Sequence, residues 1–305
     1  MNTFKHKLEN KQFVITAELE PPKGTDTESF INKGKLLKGW IDAVNVTDNQ
    51  RAMLRLSSAA GCAILKNLGH EPVFQVTSRD RNRLAIQSDL LGVHALGIRN
   101  VLAISGDYPT MGDHPGAKTV YDLDSVHILE LLSLMNKGLD LQGRELKGGT
   151  EFFNGAVFNP NIDMIELQLI KLKLKVDQGA KFFQTQIIYD LNKFKNFLDK
   201  FEDYDIDREK IYVIAGVLPL RSAKNALFIN KNVPGIIIPD ETIDRLAHAK
   251  DPKHLGLEMA AEFINQLKEV CEGVHIMTVG REQIIPELLE IAGFKQHDEM
   301  IDLKV

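Results

Sequence analysis

Short apolar runs alternate with segments of helical spacing about eight times along the 305 residues, and no other feature limits the fold as tightly. Phe13–Leu19 precedes Glu28–Trp40, Ala43–Val46 precedes Ser57–Leu68, and Val73–Thr77 precedes Arg83–Leu96, which Gly97 ends as a C-cap glycine does. Val101–Ile104 leads to Ser125–Asn136, Phe152–Phe158 to Ile165–Gln178, and Phe182–Ile187 to Leu191–Phe201. Ile211–Leu218 leads to Ser222–Asn230; a long helix over Leu257–Val270 then precedes Val274–Val279 and a last helix, Gln283–Ile291. Apolar runs of this kind suit parallel strands covered by helices on both faces. Two architectures fit, a (β/α)8 barrel and a doubly wound open sheet. Length favours the barrel, which typically takes about 250 residues plus insertions. No GxGxxG follows a strand, which weakens the dinucleotide-binding open sheet. The expected fold is therefore α/β, a (β/α)8 TIM barrel forming one domain over residues 1–305. The short apolar run Gly235–Ile238 is assigned to the connection before the last strand.

Composition excludes several classes. The chain is 44% hydrophobic and 26% charged with a net charge of −5, values of an ordinary globular protein without the basic excess of a nucleic-acid binder. Cys62 and Cys271 are the two cysteines and form no CxxC pair, so neither a disulfide framework nor a thiolate metal cluster is expected. Met1–Gln12 is polar and mixed in charge, unlike a signal peptide, and no apolar run is long enough for a bilayer. A reducing cytoplasm is the expected setting, without membrane or nucleic-acid partners.

In a barrel the chemistry gathers where strands end and βα loops begin. Those ends read Glu18-Leu19-Glu20-Pro21-Pro22, Asn45-Val46-Thr47-Asp48-Asn49, Thr77-Ser78-Arg79-Asp80-Arg81 and Ser105-Gly106-Asp107 in the first half. The second half has Asn159-Pro160-Asn161, Gln184-Thr185-Gln186, Leu218-Pro219 with Arg221, and Gly280-Arg281. Loops are polar in any protein, and for most single residues that account suffices. Glu18 and Gln186 resist it, because each lies inside an apolar strand where an unpaired carboxylate or amide is costly. A glutamate in an apolar pocket has a raised pKa and can act as a general acid near neutrality. Glu18 and Glu20 share a face, so periodicity does not choose between them. Asp107 follows a glycine that permits a tight turn and close approach of a flat ligand.

Other patterns carry no chemistry. Residues 112–119 have the wrong spacing for a phosphate loop, and His70-Glu71 lacks the second histidine of a zinc helix. The nine histidines form no i, i+4 pair, so no metal site is expected. Lys171, Lys173 and Lys175 read as a solvated helix face, and Trp40 as packing.

Taken together, the rim motifs resemble the methylenetetrahydrofolate reductase family over essentially the whole chain. The pieces run from Ala17-Glu18-Leu19-Glu20-Pro21-Pro22 through Asn45-Val46-Thr47, Arg79-Asp80-Arg81-Asn82, Ser105-Gly106-Asp107 and Tyr121-Asp122-Leu123-Asp124-Ser125. Lys175-Val176-Asp177-Gln178-Gly179-Ala180, Thr185-Gln186 and Thr278-Val279-Gly280-Arg281 complete them. The resemblance implies a flavin-dependent barrel in which Glu18 is the catalytic acid and Asp107 lies beside flavin and pterin. It places Gln186 on the pterin and Arg281 near the glutamate tail of the substrate. For the flavin it implies Thr47, Arg79, Gly106, Asp107, Tyr121, Asp122, Asn159 and Lys175. The chain departs from the family pattern at Ser105, Asn159 and Gly155, and at Val73 or Phe74, where an arginine, a histidine, an aromatic residue and a histidine are common. These departures are expected around the flavin phosphate and adenine, with Arg79, Arg81 and Lys175 as replacement contacts; the cofactor is FAD, or FMN.

The resemblance further implies reduction of 5,10-methylenetetrahydrofolate to 5-methyltetrahydrofolate. Glu18 would protonate N10, ring opening would give a 5-iminium cation, and N5 of the reduced flavin would deliver hydride. NADH or another donor would supply electrons, a homo-oligomer is expected, and some relatives work with a small zinc-containing partner subunit. Two alternatives are a pterin-binding barrel methyltransferase, which would need no flavin, and a flavin-binding subunit of a larger redox complex.

Overall fold

The computed structural model describes residues 3–233 and 235–297, so the ends of the expected 1–305 unit lie outside the described residues. Its eight strands are β1 (Val14–Leu19), β2 (Ala43–Val46), β3 (Pro72–Thr77), β4 (Asn100–Ile104), β5 (Phe153–Phe158), β6 (Phe182–Ile187), β7 (Tyr212–Val217) and β8 (Gly273–Ile276). They close in sequence order, every neighbouring pair parallel, with β8 returning to β1 through the register Thr16↔His275. The fold is a (β/α)8 TIM barrel.

The helices are α1 (Thr3–Glu9), α2 (Glu28–Leu37), α3 (Ser58–Asn67), α4 (Arg83–Ala95), α5 (Ser125–Asn136) and α6 (Ile165–Asp177). They continue as α7 (Leu191–Asp199), α8 (Ala223–Asn232), α9 (Asp240–His248), α10 (Pro252–Leu267) and α11 (Ile285–Ile291). Side-chain oxygens start several of them. Asn82 accepts from Leu84 and Ala85 at the head of α4, and Asp124 from Val126 and His127 at the head of α5. Gly97 sits at φ +79° just past α4, a conformation that favours glycine. Gly235–Ile238 forms no strand and belongs to a connection.

Two helices fall outside the sequence expectation. α9 lies within the long connection before α10. α1 comes from the stretch read only as polar, yet Phe4 and Leu8 are fully buried there. The Phe4 ring makes edge contacts with Phe153 and Phe182, at centroid distances of 5.8 and 5.3 Å. α1 thus seals the bottom of the barrel.

The interior is layered by the two-residue period of each strand. Val14, Ala43, Val73, Phe153, Phe182 and Ile214 form an apolar floor with Phe4 and Leu8. Two residues further along come Thr16, Asn45, Gln75, Gln184 and His275, all buried. Two further still, at the mouth, come Glu18, Thr77, Gln186 and Met277. A floor of apolar side chains excludes water from below, so polar groups above it open only toward the C-terminal ends of the strands.

Candidate active site

The mouth holds a cavity of about 440 Å3, within the range typical of small-ligand sites. Of the residues expected at the site, Glu18, Arg79, Gly106, Asp107, Asn159, Lys175 and Gln186 line it. Thr47, Tyr121, Asp122 and Arg281 do not.

Glu18 is at the end of β1 with its side chain 18% exposed. Its Oε1 accepts from Gln50 Nε2 at 3.0 Å, and its Oε2 faces His275 Nε2 at 4.0 Å. Burial raises its pKa; Gln50 and Gln75 oppose that by hydrogen bonding, while the nearby charges of Glu20 and Glu282 add to it. Glu20, the alternative on the same face, is exposed at the surface and paired with Arg55 at 2.9 Å. The two glutamates therefore differ in kind. Burial favours the protonated form of Glu18 at the cavity wall, whereas Glu20 is paired with Arg55 at the surface.

Asp107 stands at the rim after β4, its Oδ2 accepting from the Arg51 backbone N–H at 3.1 Å. Gly106 before it adopts φ +87°, and any Cβ there would come within 3.2–3.3 Å of Thr77 and Arg79. Glycine is favoured on both counts. Tyr121 closes this corner from outside, its hydroxyl donating to the Gly106 carbonyl at 3.2 Å.

The three arginines after β3 are held by carboxylates. Arg79 donates to both oxygens of Asp80 and to the carbonyls of Asp107 and Asn49. Arg81 pairs with Asp48, which also accepts from the Thr77 N–H and hydroxyl at 2.9 Å each. Arg83 pairs with Asp122, whose pKa drops to about 2 under those hydrogen bonds. Asp122 and Arg83 thus brace the loop before α5 outside the cavity.

Lys175 corrects the solvated-face expectation for α6. Lys171 is exposed and Lys173 pairs with Asp177, but Lys175 is buried against the cavity. Its Nζ donates to the Val157 carbonyl and forms no ion pair among the described residues. Burial first, and Lys171 second, lower its pKa to about 8. Lys171 also lines the cavity, so this wall carries two cations. A phosphate-bearing ligand fits that wall. Near the end of β2 the buried Thr47 hydroxyl has no hydrogen-bond partner among the described residues. These features fit a flavin phosphate.

The departures from the family pattern have local causes. Val73 joins the barrel floor and Phe74 the outer core, so neither reaches the cavity, contrary to the expected grouping around the cofactor phosphate. Gly155 faces the Phe182 ring, whose atoms would lie 2.1–2.5 Å from a Cβ there. Phe182 already fills the space that an aromatic residue at 155 would take. Asn159 does line the cavity, but its side chain is tied to Asn161 N–H and the Gly235 carbonyl. Arg281 sits on the rim, donating to the Pro219 carbonyl at 3.1 Å, with Arg221 close enough to depress its pKa after burial.

Reading only strand ends misses the middle layer. Gln75 and His275 line the cavity from within their strands, and Gln50 reaches it from the loop after β2. The period of two, applied to whole strands, marks them: Gln75 precedes Thr77 by two, and His275 precedes Met277 by two. Among the described residues no group of three or more His, Cys, Asp or Glu side chains is placed to hold a metal ion. None of their helices is long and apolar enough to cross a membrane.

The fold and cavity define a (β/α)8 barrel with a half-buried glutamate at the strand ends. Residues 3–293 match the family model described as methylenetetrahydrofolate reductase, and the chain belongs to that family. A Caenorhabditis elegans protein, "Probable methylenetetrahydrofolate reductase (NADPH)", is 24% identical over 301 residues, covering 94% of this chain and 43% of that protein. The chain therefore spans less than half the length of that relative. The "5,10-methylenetetrahydrofolate reductase" of Pectobacterium carotovorum is 24% identical over 294 residues, covering 92% of this chain and 90% of that protein. Among solved structures, a Clostridium thermocellum protein described as binding two copies of 5-methyl-5,6,7,8-tetrahydrofolic acid shares the fold. It superposes with a TM-score of 0.63 at 19% identity, over 94% of this chain and 96% of that one.

Proposed function

We propose that this chain, acting as one barrel domain over residues 1–305, reduces 5,10-methylenetetrahydrofolate to 5-methyltetrahydrofolate with a bound flavin. The observation that carries the reading is Glu18, a half-buried carboxyl at the cavity wall whose pKa is raised by burial. Family membership supports the reduction itself. A reduced flavin, when bound, supplies the hydride. Lys175 and Lys171 hold its phosphate, Gly106 lets the chain approach its ring, and Thr47 and Tyr121 complete the surroundings. FAD is the expected form, with FMN the alternative.

Glu18 gives its proton to N10 of the substrate, and cleavage of the N10–methylene bond leaves a 5-iminium cation on the folate. The proton stays on N10 in the product. Asp107, a carboxylate at the rim, offsets the cation's charge. Gln186, whose Oε1 accepts from the Ile187 N–H at 3.0 Å, holds the pterin by its remaining amide group. Arg281 takes the carboxylates of the glutamate tail. The electron donor in this reading is NADH or another reduced carrier, and the setting is cytoplasmic.

The test is to purify the protein, release and identify its chromophore, and add 5-methyltetrahydrofolate to the yellow protein without oxygen. Bleaching by electron transfer from the folate is expected, with FAD or FMN in the released fraction. A colourless protein, or a yellow one that does not bleach, contradicts the reading.

A further inference from the structure

Below Glu18 the middle layer forms one connected polar chain. Asn45 and Gln184 exchange hydrogen bonds, Asn45 Nδ2 to Gln184 Oε1 at 2.6 Å and Gln184 Nε2 to Asn45 Oδ1 at 3.1 Å. That exchange turns the amide nitrogen of Gln184 toward Thr16 Oγ1, at 3.3 Å, and toward His275 Nδ1, at 3.4 Å. Thr16 Oγ1 lies 2.9 Å from the same Nδ1. The Thr16 hydroxyl donates to the Val274 carbonyl at 3.3 Å, so the donor facing Nδ1 is the amide nitrogen of Gln184. An amide N–H on that side favours the ring proton on Nε2, which is the nitrogen facing Glu18. His275 is 3% exposed, and burial drives its pKa down to about 3, which favours the neutral ring.

We propose that His275 is a positioning residue for the acid step, offering a neutral Nε2–H to the Glu18 carboxylate at the moment that carboxylate forms. The inference rests on the reading of Glu18 as general acid. While Glu18 is protonated it carries no charge to attract the ring, and the 4.0 Å separation suits that state. Once its proton has gone to the substrate, the buried anion needs donors. Gln50 gives one from the loop after β2, Gln75 another from β3, and His275 gives a further one from β8. A histidine held cationic would do this badly, because it would ionise Glu18 beforehand and leave no proton to give. The Thr16–Gln184–Asn45 chain serves to keep the ring neutral and its proton on the Glu18 side.

Other charges face the same acid. Glu20 and Glu282 raise its pKa from the ends of β1 and β8. Across the cavity stand Asp48, Arg79 and Asp107 from the ends of β2, β3 and β4, and Lys171 and Lys175 from α6. A comparison at position 275 alone leaves all of these unchanged.

The test compares His275→Leu, which removes the donor, with His275→Gln, whose amide nitrogen can replace Nε2. Rates of 5,10-methylenetetrahydrofolate reduction are measured against pH beside Glu18→Gln. The rate needs protonated Glu18, so it falls as pH rises through the pKa of that acid. Loss of a donor to the anion raises this pKa, and the falling limb of His275→Leu should move up by about one pH unit. Its plateau should drop about tenfold with KM unchanged, and His275→Gln should keep both limb and plateau near the unaltered protein. A limb that stays in place in His275→Leu, or moves equally in both variants, overturns the proposal. If Glu18→Gln keeps full turnover, the acid reading and this proposal fall together. If Glu18→Gln is inactive and the limb of His275→Leu is unmoved, only the role of His275 falls. A measurement that needs no variant is the 15N spectrum of the His275 ring in the intact protein. It should show a neutral ring protonated on Nε2 from pH 8 to 5; an imidazolium or an Nδ1–H ring overturns the proposal.

Discussion

A lysine without an ion pair is an expensive thing to bury; among the described residues Lys175 forms none, and it lies near Lys171, with Asp124 as the opposing charge. Its pKa is lowered from 10.5 to about 8, so the folded protein binds its proton less tightly than the unfolded chain does. At neutral pH this group therefore works against folding, by up to about 3 kcal/mol. Such a cost persists where a ligand anion repays it. Lys175→Met should therefore raise the melting temperature of the flavin-free protein while weakening flavin binding by about tenfold or more. Calorimetry and flavin fluorescence titration check the two halves. A variant that loses stability and keeps its flavin affinity would remove Lys175 from the cofactor site. Spacing on α6 hid this residue, because Lys171, Lys173 and Lys175 fall at alternate positions along one helix. Only the packing of α6 on β5 separates buried Lys175 from half-buried Lys173 and exposed Lys171.

Most elements were legible because the two-residue and helical periods are physical consequences of burial. β2 and β6 fall on the residues expected, and most other boundaries shift by a residue or two. The misses share a cause. α1 has only Phe4 and Leu8 as apolar anchors, and its reason to be helical lies in Phe153 and Phe182, far away in sequence. α9 is polar on most of its surface, with Leu246 as its buried residue. If α1 is part of the core, Phe4→Ala should destabilise the protein by about 3–4 kcal/mol. Urea unfolding followed by circular dichroism would show it, and a loss below about 1 kcal/mol would mean the barrel floor does not depend on that helix. The polar middle layer was missed for a related reason. Gln75 and His275 look like interruptions of apolar strands until closure of the barrel sets them beside Glu18.

At the scale of the whole molecule, barrel closure is what makes the chemistry. An apolar floor sealed by α1, a neutral polar layer above it and an acid above that give a gradient of polarity along the barrel axis. Sequence motifs named Glu18, and the family resemblance preferred it to Glu20. The structure adds the physical difference between them, since one is desolvated and the other is paired with Arg55 in solvent. Thr47, Tyr121, Asp122 and Arg281 surround the cavity rather than line it, a distinction that depends on how loops fold over the rim. The account stands on proton donation by Glu18 to the folate. The most direct measurement is stopped-flow reoxidation of the pre-reduced Glu18→Gln flavoprotein by 5,10-methylenetetrahydrofolate, compared with the unaltered protein. Loss of a general acid predicts a rate at least about 100-fold lower, with flavin content and reduction by the electron donor unchanged. Reoxidation at the unaltered rate would contradict it.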